Sequence, residues 1–235
     1  MKRKYSNSVK IVMACLLLLQ VTACSVDKKM TGKKHQAFTI LGLGDSITEG
    51  GPDFFSYLFP LDSILKQNGY QANFIGPRSS VLQGDTIHHS GFSGKTAEFL
   101  AKTIDSIYAL YPADIVLLHS GHNHFVEEHP VNGIIQAQQK IIHSIKQKNP
   151  HAIIFVAAVI TSGKLPKYEY IPALNAAIRN MVADMKDPSI IFVDQQQHWD
   201  WNIHTITDKV HPNKTGAQII AANWFNAINK EMNKK

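Results

Sequence analysis

An α/β domain, with a parallel sheet covered on both faces by helices, is the fold class this sequence predicts. Two observations carry that prediction. From residue 37 onward, short apolar runs of strand length alternate with longer segments whose apolar residues recur at helical spacing. No repeat, low-complexity run or linker interrupts the alternation, so residues 37–235 read as one domain. The composition agrees: 44% apolar and 18% charged residues over 235 positions suit a single globular core.

The chain opens with Lys2, Arg3, Lys4 and Lys10, followed by the apolar run Ile11 to Leu19. That run falls short of the ~20 residues that cross a bilayer, so 1–23 reads as a signal peptide rather than a span. Its end, Val21-Thr22-Ala23-Cys24, resembles a bacterial lipobox. The resemblance implies an acylated Cys24 as mature N-terminus, lipid-anchored to a membrane of the bacterial cell envelope on its periplasmic or surface side. A plain secretory signal cut near Ala23 is the alternative. Residues 24–36 read as a basic tether without apolar periodicity. Of the two cysteines, Cys15 leaves with the signal, so no disulfide is expected in the mature domain. The formal charge of +6 has the same origin. Residues 1–34 hold eight of the 24 Lys and Arg and one of the 18 acids, leaving a net charge of −1 beyond them. No nucleic-acid partner is implied.

Within the domain, Phe38–Leu43 is the first expected strand and Phe55 to Gln67 the first helix, perturbed by Pro60 and stopped at Asn68-Gly69. Tyr70–Ile75 is a second strand, and Arg78 to Gly94 a long loop. Ala97, Leu100, Ile104, Ile107 and Tyr111 mark a helix before the buried strand Ile115–Leu118. Ile134, Ala137, Ile141 and Ile145 share a helical face, followed by the strand Ala152–Val159. Ile171, Leu174, Ile178, Met181 and Met185 mark the next helix, and Ile190–Val193 a fifth strand. Pro212-Asn213 opens a last helix with Ile220, Trp224, Phe225 and Ile228.

In open α/β sheets, sites gather outside the carboxyl ends of strands. Four groups of polar residues fall there: Ser46 after the first strand, Gly91 in the long loop after the second, Gly121 and Asn123 after the third, and Asp208 with His211 beyond the fifth. Together they can run acyl transfer. Ser46 would be the nucleophile, His211 its base, and Asp208 the group that orients the imidazole. The backbone N–H groups of Ser46 and Gly91 and the Asn123 amide are candidate oxyanion donors. A glycine at 91 would allow substrate to approach the backbone closely.

The blocks Gly44-Asp45-Ser46-Ile47-Thr48, His89-Ser90-Gly91-Phe92, Gly121-His122-Asn123 and Asp208-Lys209-Val210-His211-Pro212 resemble, in order, those of the SGNH (GDSL-type) hydrolases. The resemblance covers the whole mature domain. It implies a three-layer α/β/α sandwich with a flavodoxin-like parallel sheet of about five strands, and an esterase without a cofactor. The second block and Phe74-Ile75-Gly76 look most like the acetylxylan-esterase branch, which implies deacetylation of carbohydrate. Two other activities stay open: a lysophospholipase or thioesterase of the same family, and a non-catalytic glycan-binding protein on the same fold. One departure stands out. His124 replaces the aspartate that usually ends the third block, which leaves open how the Asn123 loop is supported.

Other signals are weaker. Gly94-Lys95-Thr96 mimics the end of a phosphate-binding loop, but His89 stands where its first glycine is needed. No Gly-x-Ser-x-Gly elbow occurs. His119, His122, His124, Glu127, Glu128 and His129 could suggest a metal, yet no spacing specifies a geometry, and a polar rim with a hydrogen-bonded His119 is the expectation. Trp199 and Trp201 are candidates for sugar stacking, with packing favoured. Ser93 and Ser120 are rival serines, but neither directly follows a strand at a helix entrance.

Overall fold

The computed structural model describes residues 37–234. The predicted signal peptide, Cys24 and the tether lie outside the described residues.

Strand β1 (Phe38–Gly44) is the axis of the sheet. One of its edges is shared: β2 (Ala72–Phe74) pairs with Phe38–Ile40, and β4 (Asp85–Gly91) takes over at Leu43 and Gly44. On the other edge lie β5 (Ile115–His119), β6 (Ile153–Ala157) and β7 (Ile190–Val193), all parallel. Strand β3 (Arg78–Leu82) runs antiparallel to β4 at the far edge.

The expected five-stranded parallel sheet is therefore a mixed sheet of seven strands. The difference lies in the predicted loop Arg78 to Gly94, which folds as the β3–β4 hairpin. Its turn, Gln83-Gly84, has φ of 52° and 94°, the left-handed pair that matches strand twist in a two-residue hairpin. The segment hid from periodicity because its side chains are mostly polar, with Ile87 its one buried apolar residue.

Successive side chains of the buried strands feed two cores. Leu41, Leu43, Val116, Leu118, Ile154 and Val156 pack under α3 (Ala97–Leu110), α4 (Val131–Lys148) and α5 (Ile171–Met185). Ile40, Leu117, Phe155 and Ala157 face the opposite way, under α2 (Leu58–Gln67) and α7 (Lys214–Met232). The result is the three-layer sandwich. Helix α2 starts later than Phe55, so Pro60 sits in its first turn, where a missing N–H costs no helical bond. Two short helices complete the fold, α1 (Ser46–Glu49) and α6 (Trp201–His204). Among the described residues no helix is long and apolar enough to cross a membrane.

Candidate active site

Strand β1 ends at Gly44, where nothing larger than glycine fits: a Cβ there would lie 2.3 Å from Thr48 Oγ1 and 2.4 Å from the His119 carbonyl. The chain turns at Asp45, whose carboxylate caps α1 by accepting the Ile47 N–H at 3.0 Å. Ser46 is thereby placed at the mouth of the sheet, as the first residue of α1. Among the described residues its backbone N–H has no partner.

Ser46 Oγ lies 2.9 Å from His211 Nε2, and His211 Nδ1 lies 2.5 Å from Asp208 Oδ2. Asp208 Oδ1 is already taken by the backbone N–H groups of Val210 (2.8 Å) and His211 (3.0 Å). Burial alone would raise the Asp208 pKa, but the bonds from the His211 ring and these amides outweigh it and hold the pKa below the usual value. The carboxylate therefore stays charged and fixes the ring proton on Nδ1. Nε2 is left to accept from the serine. Phe54 stacks on the far side of this ring, with centroids 4.1 Å apart and planes 23° apart. Sequence reasoning did not find Phe54, since nothing local ties residue 54 to residue 211.

Ser80 is also near an imidazole, His89 Nε2 at 2.8 Å, but there the polarity is reversed. His89 Nδ1 accepts the Gly91 N–H at 3.0 Å, so Nε2 carries the proton and donates to Ser80. Ser80 in turn donates to the Glu49 carbonyl at 2.5 Å. Burial, followed by a partly opposing pull from Glu49, brings the His89 pKa down to about 4, so the ring stays neutral. Ser93 is exposed, and Ser120 is buried with no hydroxyl partner among the described residues.

The three expected oxyanion donors differ in availability. Among the described residues the Ser46 N–H is free. Asn123, at φ 71°, gives one amide hydrogen to the Lys95 carbonyl at 3.0 Å and keeps a second. The Gly91 N–H, expected to be open to substrate, is held by His89. The glycine itself answers to packing, because a Cβ at 91 would lie 2.5 Å from the Glu49 nitrogen of α1.

The loop bearing Asn123 is fastened at each residue. Gln138 donates to the Ser120 carbonyl (2.7 Å), the Tyr170 hydroxyl to that of Gly121 (2.8 Å), and His122 Nε2 to that of Ile160 (3.1 Å). His124 bridges Glu98 (3.1 Å) at the start of α3 and Glu128 (2.8 Å). That answers the question raised by the missing aspartate: two carboxylates from elsewhere hold the imidazole in its place.

The comparisons with known proteins agree with this architecture. A model described as the GDSL-like Lipase/Acylhydrolase family matches residues 43–219, which contain every residue of the site. The chain belongs to this family. A carbohydrate esterase family 3 structure from Clostridium thermocellum superposes with a TM-score of 0.73 at 26% identity, over 84% of this chain and 98% of that one. One from Talaromyces cellulolyticus shares the fold, with a TM-score of 0.73 at 23% identity over 83% and 97% of the two chains. A multidomain esterase from Ruminococcus flavefaciens is 25% identical over 223 residues, 80% of this chain. The chain spans 28% of that curated relative's length.

In this GDSL-like chain the remaining sequence signals resolve as packing. Trp199 is partly buried against the second core and donates from its indole to the Thr161 carbonyl at 2.9 Å. Trp201 lies against Gly163, where an added Cβ would meet the ring at 2.2 Å. Among the described residues no group of three or more His, Cys, Asp or Glu side chains is arranged to hold a metal. His119, expected to be hydrogen-bonded, is fully buried with neither ring nitrogen partnered among the described residues. Burial pushes its pKa down to about 4. Beside the site, a cleft of about 420 Å³ runs between the 49–56 segment and the hairpin, bordered by Glu49, Asp53, Phe54, Phe55, Phe59 and Ser80 among others.

Proposed function

We propose that this protein is a serine esterase that removes O-acetyl groups from a carbohydrate through an acyl-serine intermediate. The observation that carries the proposal is the continuous hydrogen-bond chain from Ser46 through His211 to Asp208. Ser46 Oγ attacks the ester carbonyl while His211 Nε2 takes its proton, and the Asp208 carboxylate stabilises the imidazolium. The oxyanion meets the Ser46 N–H and the free hydrogen of the Asn123 amide. When the intermediate collapses, the leaving alkoxide takes the proton from His211. A water, deprotonated by the same nitrogen, then attacks the acyl-serine, and acid departs as Ser46 is restored. These steps need no cofactor.

The carbohydrate preference is supported by the 26% identity to a carbohydrate esterase family 3 structure and by the cleft beside Phe54. Aromatic rings alternating with oxygen acceptors are the surface a pyranose can stack on and bond to. Attachment to the bacterial cell envelope through an acylated Cys24 is part of the proposal, on the lipobox resemblance alone. A larger precursor accumulating under globomycin is the expected result, and its absence would count against the anchor.

Ser46→Ala should abolish p-nitrophenyl acetate hydrolysis with an unchanged melting temperature; retained hydrolysis would refute the role of Ser46. Acetylated xylan, acetylated peptidoglycan and C8–C16 esters assayed side by side separate the substrate classes. Preference for long acyl chains would favour the lysophospholipase or thioesterase activity. Glycan binding without fluorophosphonate labelling would favour a non-catalytic binder.

A further inference from the structure

Asn123 can serve the oxyanion only if its amide points the right way, because a half-turn of the group would put an oxygen lone pair where a donor is needed. The Lys95 carbonyl, 3.0 Å from Asn123 Nδ2, decides the orientation. A carbonyl only accepts, so the NH2 end must meet it, and the remaining hydrogen is the one available to the site. That carbonyl belongs to the turn Phe92–Lys95, closed by the bond from the Lys95 N–H to the Phe92 carbonyl at 3.1 Å, with Gly94 at φ 72°. Packing does not hold its outer side: Ser93, Gly94 and Lys95 are exposed, and a Cβ on Gly94 would meet nothing within 4 Å. Two bonds tie the turn to the rest of the site. The Phe92 N–H donates to the Gly44 carbonyl at 3.0 Å, and the Ser93 N–H donates to Glu49 Oε2 at 2.6 Å.

We propose that Glu49 is a positioning residue for Asn123: its carboxylate fixes the Phe92–Lys95 turn and, through the Lys95 carbonyl, aims the amide at the oxyanion. Glu49 is the last residue of α1, the short helix that begins with Ser46. One side chain therefore ties the nucleophile's own helix to the support of the oxyanion donor. Its two oxygens divide the task. Oε2 takes the Ser93 N–H, and Oε1 is bonded by the Arg78 guanidinium of β3, which also lies over the Phe92 ring at 5.4 Å from its centroid. Arg78 thus clasps the carboxylate and the start of the turn together. The Glu49 backbone is pinned as well, its N–H donating to the Asp45 carbonyl (3.0 Å) and its carbonyl accepting from Ser80 (2.5 Å). A bond from a backbone N–H to a carboxylate is roughly twice as strong as one between neutral groups, so Ser93 is held more firmly than the turn's own closing bond could hold it. The effect on catalysis rests on the esterase proposed above; the support of the Asn123 amide does not.

The test uses the full chain and two kinds of readout. In 15N-labelled protein, each side-chain amide gives a pair of proton NMR signals, and the Asn123 pair is the one lost in Asn123→Ala. Glu49→Ala should shift that pair while leaving the pair of Asn149, whose amide meets the Ala113 carbonyl ahead of β5, where it is. Arg78→Met, which leaves the carboxylate in place but unclasped, should shift it less, and carries the test if Glu49→Ala does not fold. An unmoved Asn123 pair would overturn the proposal, and this measurement needs no turnover, so it stands even if the chain hydrolyses no ester. With p-nitrophenyl acetate, Glu49→Ala should lower kcat about five- to fiftyfold with little change in KM, short of the ~10²- to 10³-fold cost of losing an oxyanion donor outright. Glu49→Gln keeps an oxygen for Ser93 and should lose less than alanine does. In the Asn123→Ala background, Glu49→Ala should cost less than about twofold, because the group it aims is gone. Equal losses in the two backgrounds, or glutamine no better than alanine, would overturn the relay.

Discussion

Replacing Asp208 with asparagine tests the site most sharply, because the two oxygens of this carboxylate serve opposite sides. Oδ1 accepts two backbone N–H groups, at 2.8 and 3.0 Å, and Oδ2 accepts the His211 ring proton at 2.5 Å. An amide has one oxygen, so one of those sides must meet an NH2 group. If the oxygen stays with the backbone, the NH2 faces Nδ1, and the ring relieves the clash by moving its proton to Nε2. That tautomer donates to Ser46 instead of accepting from it, so the base is lost. The same change costs about 10⁴-fold in the Ser-His-Asp proteases, the reference case for this geometry. Here we expect kcat to fall about 10³- to 10⁴-fold, equivalent to roughly 4–5.5 kcal/mol of transition-state stabilisation. Asp208→Ala leaves room for water to accept from Nδ1 and should be less damaging than asparagine. The assay is p-nitrophenyl acetate hydrolysis, with melting temperatures to confirm that each variant folds. Asparagine activity within tenfold of wild type, or alanine worse than asparagine, would refute this account of the tautomer.

Three further outcomes are expected. Phe54→Ala removes the ring stacked on His211 and should lower kcat/KM by about two- to thirtyfold, the range of a cation–π contact worth ~0.5–2 kcal/mol; an unchanged value would assign Phe54 to the cleft alone. Gly91→Ala drives a methyl group into the Glu49 backbone at 2.5 Å, and urea unfolding should show a loss of about 1–3 kcal/mol together with reduced activity. His89 and His119 are held neutral, with pKa values brought from 6.5 down to about 4, so the unfolded chain binds more protons between those pH values. Stability should be fully present above pH 6.5 and fall as pH drops towards 4, by up to about 3 kcal/mol for each histidine. Urea unfolding at pH 7, 6 and 5 checks the sign, and His119→Gln should flatten part of the slope.

The residues of the site were legible wherever chemistry follows a strand within a few positions. Ser46 sits directly behind β1, Gly121 and Asn123 directly behind β5, and Asp208 lies three residues from His211 on one loop. Hydrophobic periodicity marks where a strand ends, and the polar residue that comes next is then placed without knowing the rest of the fold. The β3–β4 hairpin was not legible. Its pairing partners are mostly polar, and an edge ribbon held by backbone bonds leaves little apolar alternation to read.

By itself, then, the sequence determined the class of fold, the two-faced core and the candidates for nucleophile, base and orienting acid. Each of these follows from local spacing and from residue chemistry. Tertiary structure alone decided who faces whom across separate loops. It set Phe54 on His211, gave His124 two carboxylates in place of the family's aspartate, and tied the Gly91 N–H to His89. It also brought Asp45 and His122 together in the dry interior beneath the site. Those contacts depend on strand order, register and loop conformation, which periodicity does not encode; the His89–Gly91 and His124–Glu128 bonds are short-range along the chain, and the others join segments far apart in it.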